Sequence, residues 1–304
     1  MFRKLLIANR GEVAVRVLRS CKELGIQTVA VASGPDLDLG WLEEADEVLR
    51  IGGRRAYLDQ DALLEAARHV GATALHPGWG FLAENPTFAA RCQALGITFV
   101  GPGSRVIRRM GDKVQARATA SAQGMPLIPG SAGALERHEL AAEADRIGYP
   151  VLLKASAGGG GRGMRAVAGP EGLLDAYDSA AAEAIGAFGN GELYMEKLIQ
   201  AGRHIEFQVL VDRFGRAHHL FERECSIQRR HQKLLEEAPS PAVTQTLRRE
   251  MGERVAAMAA GVGYLGAGTV EMLRDVDGSL YFMEMNTRLQ VEHTVSEMIS
   301  GWDL

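Results

Sequence analysis

The stretch YPVLLKASAGGGGRGMRAVAG, residues 149–169, decides the fold of the larger part of this chain. Gly158, Gly160 and Gly163 have G-x-G-x-x-G spacing, but the dinucleotide-binding turn requires a helix directly after its glycines. MRAVAG follows instead, an apolar run that reads as a strand, and no Gly-Lys-Ser/Thr closes the loop, so the Walker pattern fails too. Consecutive glycines between two strands leave two readings. One is a bare linker, the ordinary reading of an isolated glycine run; the other is a flap whose backbone N–H groups close over phosphates. Lys154 ahead of the glycines and Lys113 in MGDKVQA are candidate phosphate ligands, although each alone reads first as a surface lysine.

Upstream, KLLIANR, QTVAVAS, ATALHPG and ITFVGP read as strands, with helix-like segments between several of them. That rhythm predicts an α/β fold with a parallel, doubly wound sheet. ENPTFAARCQALG carries its own helix signals, with Asn85 as N-cap, Pro86 in the first turn and Gly96 as the stop. SRVIRRMGDKVQARATASAQG reads as one longer helix, and MPLIPGSAG after it places a domain boundary in this region. Downstream, PEGLLDAYDSAAAEAIGAF is helix-like, LYMEKLI, HIEFQVLVD and AHHLFERECSIQ read as strands, and a helix is expected near 244–262. TVSEMISG reads as a short helix stopped by Gly301.

EMNTRLQVEH, residues 284–293, sets Glu284, Asn286, Arg288, Gln290 and Glu292 at two-residue spacing, so an extended strand would present all five on one face until the chain turns. The wet face of an edge strand is the plain reading. Asp277-Gly278 is a two-residue hairpin signal of type I′ and would set Glu271 opposite Glu284 and Thr269 opposite Asn286. Two carboxylates about 5 Å apart repel unless one takes a proton or a cation sits between them. Glu271, Glu284 and Asn286 therefore read either as a hard-oxygen set for Mg²⁺ or Mn²⁺ or as solvated acids on an exposed ribbon. A three-residue loop or a bulge would turn Glu271 to the other face. RECSIQRRHQKLLEEAPSP gathers Arg223, Arg229, Arg230, His231 and Lys233 ahead of Glu236 and Glu237, either a solvated loop or a grip for a small anion or triphosphate.

With 304 residues, 46% hydrophobic and 24% charged, the chain has room for two domains and the composition of a globular protein. A net charge of −4 argues against a nucleic-acid or anionic-membrane surface, and MFRKLLIANRG is too short an apolar run for a signal peptide. A soluble cytoplasmic protein is expected. Cys21, Cys92 and Cys225 lack CxxC spacing and read as buried structural thiols.

Taken together and in order, IANRGEVAVRVLRSCKELGI, HPGWGFLAEN, MGDKVQAR, KASAGGGGRGMR, YMEKLI, ERECSIQRRHQK, EEAP and EMNTRLQVEH closely resemble the biotin carboxylase component of biotin-dependent carboxylases, a family of the ATP-grasp fold. The resemblance implies a Rossmann-like domain over residues 1–112. An ATP-grasp domain over 113–304 follows, with a glycine-rich lid at about 130–203 and an incomplete C-terminus. It implies an ATP-dependent ligase that binds MgATP, with two Mg²⁺ or Mn²⁺ ions, and bicarbonate. Carboxyphosphate and ADP are formed, and biotin on a carboxyl carrier protein or domain is carboxylated. A carboxyltransferase component and a homodimer belong to the full-length family, as in acetyl-CoA carboxylase and fatty acid biosynthesis.

Position by position, Lys113, Lys154, Gly160, Gly161, Glu196, Lys197, Leu198, Ile199, His204, Gln228 and His231 match nucleotide contacts, together with Glu271 and Glu284. Glu271, Glu284 and Asn286 match metal ligands, and Lys233, Arg288, Gln290 and Val291 match the bicarbonate pocket. Glu292 matches the base that deprotonates bicarbonate, with Arg288 expected nearby to keep it ionised. Two departures stand out. Trp79 occupies a position where the family commonly has tyrosine, and family members continue beyond ISGWDL through a segment that supplies an arginine of the biotin site. Another bicarbonate-activating ATP-grasp ligase, such as a carbamoyl-phosphate-synthase-like enzyme, and a non-catalytic nucleotide-binding remnant are the rival readings.

Overall fold

LLI, VAVA and AL, within the segments KLLI, QTVAVA and ALH, are apolar without a break because both faces of the sheet they build are covered. The computed structural model describes residues 2–53, 55–156, 162–230 and 232–304. The chain forms two units, the first of Met1–Arg108, Tyr264–Ala267 and Thr287–Val291 and the second of Arg109–Gly263, Gly268–Asn286 and Glu292–Leu304.

In the first unit β1 (Lys4–Ile7), β2 (Gln27–Ala32), β3 (Glu47–Arg50), β4 (Ala74–His76) and β5 (Thr98–Phe99) make a parallel sheet of order β3-β2-β1-β4-β5. Alternate residues of β1 point to opposite faces. Leu5 and Ile7 pack on Ala14, Val17 and Leu18 of α1 (Gly11–Glu23). Leu6 joins Leu63 and Leu64 of α2 (Gln60–His69) and Phe88 of α3 (Pro86–Ala94) on the other side. This is the doubly wound sheet the strand rhythm predicts, with β3 added as a strand that its mixed polar sequence, EVLR, conceals. Asn85 caps α3 as expected, its Oδ1 accepting from the N–H of Phe88 at 2.9 Å.

Strand order reverses between β1 and β4, where doubly wound sheets usually open a ligand crevice. Here Asn9 fills that position, its Nδ2 donating to the carbonyls of Pro77 at 2.7 Å and Trp79 at 2.8 Å. A Cβ on Gly78, which has φ +62°, would stand 2.7 Å from the same nitrogen.

The long helix expected over 103–125 is two, α4 (Ser104–Gly111) and α5 (Lys113–Ala122). Asp112 makes the break, because its side chain accepts from the N–H of Gln115 at 2.8 Å and so caps a new helix instead of continuing the old one. Lys113 thereby becomes the first residue of α5.

The second unit holds two further sheets. α6 (Leu140–Ile147), β6 (Val151–Ala155), β7 (Met164–Val167), α7 (Leu173–Phe188) and β8 (Leu193–Lys197) form the first, an antiparallel sheet of order β7-β6-β8 under two helices. A strand, not a helix, therefore follows the glycines, which excludes the dinucleotide fingerprint. Gly160 and Gly161 lie outside the described residues, as does His231.

The other sheet runs β11-β10-β9-β12-β13, built from β9 (Arg203–Val211), β10 (Ala217–Arg229), β11 (Gln232–Glu237), β12 (Gly266–Arg274) and β13 (Leu280–Asn286). α8 (Gln245–Gly261) packs on β9 and β10, and α9 (His293–Ser300) ends at Gly301 with φ +72°. The charged segment after Cys225 is thus the two arms of a hairpin, with Gln228 opposite Lys233. QKLLEE hides this strand from a pattern reading because most of its residues are at least partly exposed on an edge.

The β12–β13 hairpin differs from the two-residue type I′ turn. Gly278 donates to the carbonyl of Asp275 at 3.0 Å, and Asp275 donates to that of Ser279 at 2.8 Å, with Gly278 at φ +95°. This is a three-residue loop closed by a left-handed glycine. It alone would turn Glu271 away from Glu284. The pairing then shifts between Met272 opposite Phe282 and Glu271 opposite Glu284, leaving Met283 as a bulge. Loop and bulge cancel, so Glu271 does face Glu284 and Thr269 faces Asn286.

Replacing Asn85 by alanine removes the α3 cap and should cost about 1 kcal/mol of stability, read as a lower urea midpoint with an unchanged slope. An unchanged midpoint would reject the cap assignment.

Candidate active site

The register above places Glu271 and Glu284 side by side, and cations meet both. Glu284 Oε2 accepts from Lys113 Nζ at 2.7 Å. Glu271 Oε1 accepts from Lys233 Nζ at 2.9 Å and from Asn286 Nδ2 at 2.8 Å, while its Oε2 lies 3.0 Å from His204 Nε2. Lys233 also pairs with Glu206 and donates to Glu292 Oε1 at 2.7 Å. One ammonium thus sits among three buried carboxylates, brought together by β9, β12 and the start of α9.

Burial alone would hold these groups neutral. For Glu271 it is outweighed by the hydrogen bond and charge of His204 and by Lys233, and the carboxyl lies far below the usual range. For Glu292 burial is outweighed by Lys233, again lowering the pKa. Burial would also strip Lys233 of its proton, but Glu271, Glu206 and Glu292 push its pKa well above the ordinary value. Glu271, Glu292 and Lys233 are therefore charged at neutral pH. Within the second unit, Lys233 and, more weakly, Arg223 act on Glu292.

His204, Glu206 and Glu271 bring three potential metal-ligating atoms within 4.8 Å of one another. Gln228 Nε2 donates to the carbonyl of Cys225 at 2.8 Å and lies 3.0 Å from His204 Nδ1. Glu271, Glu284 and Asn286 fit a divalent cation better, being hard oxygen donors on one face of the hairpin whose carboxylates already attract cations.

A second group surrounds Glu196 on β8. Its Oε2 accepts from Lys154 Nζ at 2.8 Å, and its Oε1 pairs with Arg117. Lys113 is largely desolvated, which lowers its pKa; the charge and hydrogen bond of Glu284 together with Tyr194 outweigh this and raise it, with Lys154 opposing. The two lysines are therefore close enough to influence each other. Lys197 Nζ donates to the carbonyls of Gly148 at 2.8 Å and Tyr149 at 2.7 Å, and the N–H groups of Lys197 and Leu198 donate to Pro129 and Pro150. The strand ends at Lys197, and Leu198 and Ile199 follow outside any helix or strand.

The alternation in EMNTRLQVEH ends as a strand at Asn286. Arg288, Gln290 and Val291 belong to the first unit, whereas Glu292 returns to the second as the N-cap residue of α9. In the first unit Arg288 Nε donates to Glu84 Oε2 at 2.9 Å, and Thr287 donates its N–H to Glu84 Oε1 at 3.0 Å. Sequence reasoning missed Glu84, which the quoted HPGWGFLAEN carries directly before the α3 cap. It missed Arg117 and Glu206 as well, because a single charged residue in an apolar strand or helix gives no periodic signal, whereas Arg223, read as one of a group that could grip an anion, pairs with Glu206.

The biotin carboxylase N-terminal domain matches residues 1–107, and the ATP-binding domain of the carbamoyl-phosphate synthase L chain matches 112–304. Biotin carboxylase from Allochromatium vinosum is 52% identical over 312 residues, covering 100% of this chain and 69% of the relative. The chain belongs to the biotin carboxylase family. Chloroplastic biotin carboxylase 2 of Populus trichocarpa is 54% identical, and this chain spans 58% of its length. Among solved structures, the biotin carboxylase domain dimer of Hydrogenobacter thermophilus 2-oxoglutarate carboxylase, in complex with MgADP, ADP and bicarbonate, superposes with a TM-score of 0.95 at 51% identity, covering 99% of this chain and 67% of that one.

Lys233→Met leaves Glu206, Glu271 and Glu292 without their shared ammonium and should cost about 3 kcal/mol at pH 7.5, the scale of a broken buried pair. The carboxylates would then bind protons more readily in the folded state. The deficit should therefore shrink as the pH falls toward 5. Urea unfolding at both pH values checks this, and a deficit independent of pH would reject it.

Proposed function

We propose that this chain carries the ATP- and bicarbonate-activating part of a biotin carboxylase, with residues 1–112 as its N-terminal domain, 113–304 as its ATP-grasp domain and a lid at about 130–203. The observation that supports this most directly is the charge arrangement on the β12–β13 hairpin. Glu271 faces Glu284, with Lys113 on one and Lys233 on the other.

In this reading Lys113 and Lys154 hold the ATP phosphates, while Glu196, Lys197, Leu198, Ile199, His204 and Gln228 receive the rest of the nucleotide. Gly160, Gly161 and His231 join them on the strength of their motifs. Glu271, Glu284 and Asn286 would hold the Mg²⁺ or Mn²⁺ ions, which neutralise charge on the phosphate oxygens when bound. Lys233, Arg288, Gln290 and Val291 grip bicarbonate, and Arg288 is held by Glu84. Glu292 accepts the bicarbonate proton, a role that suits a carboxylate kept ionised by Lys233. Bicarbonate then attacks the γ-phosphate to give carboxyphosphate and ADP, and the carboxyl group passes to biotin on a carrier protein. The carrier, a carboxyltransferase component, a homodimeric assembly and a cytoplasmic location belong to the same proposal; among the described residues no helix is long and apolar enough to cross a membrane.

The match of residues 112–304 to a carbamoyl-phosphate synthase domain favours, as a second reading, another bicarbonate-activating ligase. ADP release from MgATP by the purified chain, with and without bicarbonate and free biotin, separates the two. Stimulation by biotin is expected, and bicarbonate-dependent release that biotin leaves unchanged would favour the second reading. Arg288→Ala and Glu292→Gln should each lower the bicarbonate-dependent rate about 100-fold while MgADP affinity stays within about twofold. Unchanged turnover in either variant would remove that residue from the mechanism.

A further inference from the structure

We infer that Arg223 is the positioning residue that sets Lys233 and Glu292 relative to each other, an inference that rests on the function proposed above for that pair. The Arg223 side chain on β10 is fully buried. Its Nε donates to Glu206 Oε1 at 2.7 Å, and its Nη1 donates to Gln208 Oε1 and to Ser296 Oγ, each at 2.8 Å. Nη2 lies 3.3 Å from Thr269 Oγ1 as a further donor. One guanidinium therefore ties β10 to β9, to β12 and to α9.

Two of these bonds lead to Lys233. Glu206 divides its oxygens, with Oε1 taken by Arg223 and Oε2 by the ammonium. Ser296 stands four residues after Glu292, one turn along the same face of α9, so the bond to its hydroxyl holds the turn from which Glu292 reaches Lys233. The guanidinium sets one flanking carboxylate directly and the other through the helix. A planar fork with fixed donor directions can do this, whereas a lysine ammonium, a point charge on a flexible stem, cannot.

Stability alone is a weak reason to keep such a group. A buried ion pair often contributes no more than well-packed apolar side chains would, because both charges lose their water. Geometry gives a stronger reason. Lys233 has a third carboxylate, Glu271, and an ammonium on a flexible stem would follow whichever acid moved toward it. With Glu206 and Glu292 fixed, it is held at the side of the cluster where Glu292 stands.

The test compares Ser296→Ala and Arg223→Lys with the unaltered chain by two readouts. Brief acylation with acetic anhydride, quantified at Lys233 by mass spectrometry, reports whether the ammonium is held; the KM values for bicarbonate and ATP report whether the base is placed. Both variants should label faster at Lys233 and raise the bicarbonate KM about tenfold with the ATP KM unchanged, the scale expected for a slight misplacement of reacting groups. Unaltered labelling together with an unaltered bicarbonate KM in folded variants would overturn the inference. If Arg223→Lys does not fold, Ser296→Ala decides alone, since it deletes one hydroxyl. If the unaltered chain releases no ADP at all, the proposed function fails by itself, and the labelling still decides whether Arg223 holds Lys233.

Discussion

A carboxylate out of water must face a cation or take up a proton, and the second unit buries Glu206, Glu271 and Glu292 within reach of one another. Much of the local architecture answers that constraint. β11 extends the sheet and delivers Lys233 from opposite Gln228. The helix break at Asp112 starts α5 at Lys113, which meets Glu284. Arg223 compensates the remaining charge from behind, and His204, its Nδ1 facing the Gln228 amide, turns Nε2 toward Glu271.

The hairpin shows how far such a site can be read from sequence. The pairing of Glu271 with Glu284 was reached from a two-residue turn at Asp277-Gly278, and the structure keeps that pairing without that turn. The turn was not legible. Asp-Gly fits a two-residue loop and also the end of a three-residue one, and the chain adopts the longer loop and restores the register with a bulge at Met283. The face to be buried fixed the register, and the turn adapted to it. A pattern reading therefore reaches the right pair of residues through the wrong local geometry.

Elsewhere, legibility followed the size of the periodic signal. The unbroken apolar strands of the first unit and the Asn85 cap were readable because each repeats a local rule over several residues. β3 and β11 were not, since short edge strands with mixed polarity satisfy no period. EMNTRLQVEH misled in a different way. Its alternation runs on past the strand, while the chain itself stops pairing at Asn286, passes through the first unit and returns at Glu292. Arg288 therefore finds Glu84 within the first unit, a partner about two hundred positions away that no spacing within the motif could reveal.

The pairings also show how like charges share this part of the second unit. In the proposed reading Lys113 and Lys154 are anion ligands and Glu271 and Glu284 cation ligands, so each set alone would repel itself. In this structure they are crossed. Lys113 lies on Glu284, Lys154 on Glu196, and Lys233 on Glu271. In the proposed reading a metal-bound phosphate would substitute for the Lys113–Glu284 contact in kind, the lysine exchanging a carboxylate for a phosphate oxygen and the carboxylate exchanging an ammonium for a metal ion. Either ligand alone would leave Lys113 or Glu284 uncompensated, and that asymmetry gives a physical reason for a nucleotide and its metal to enter as a unit.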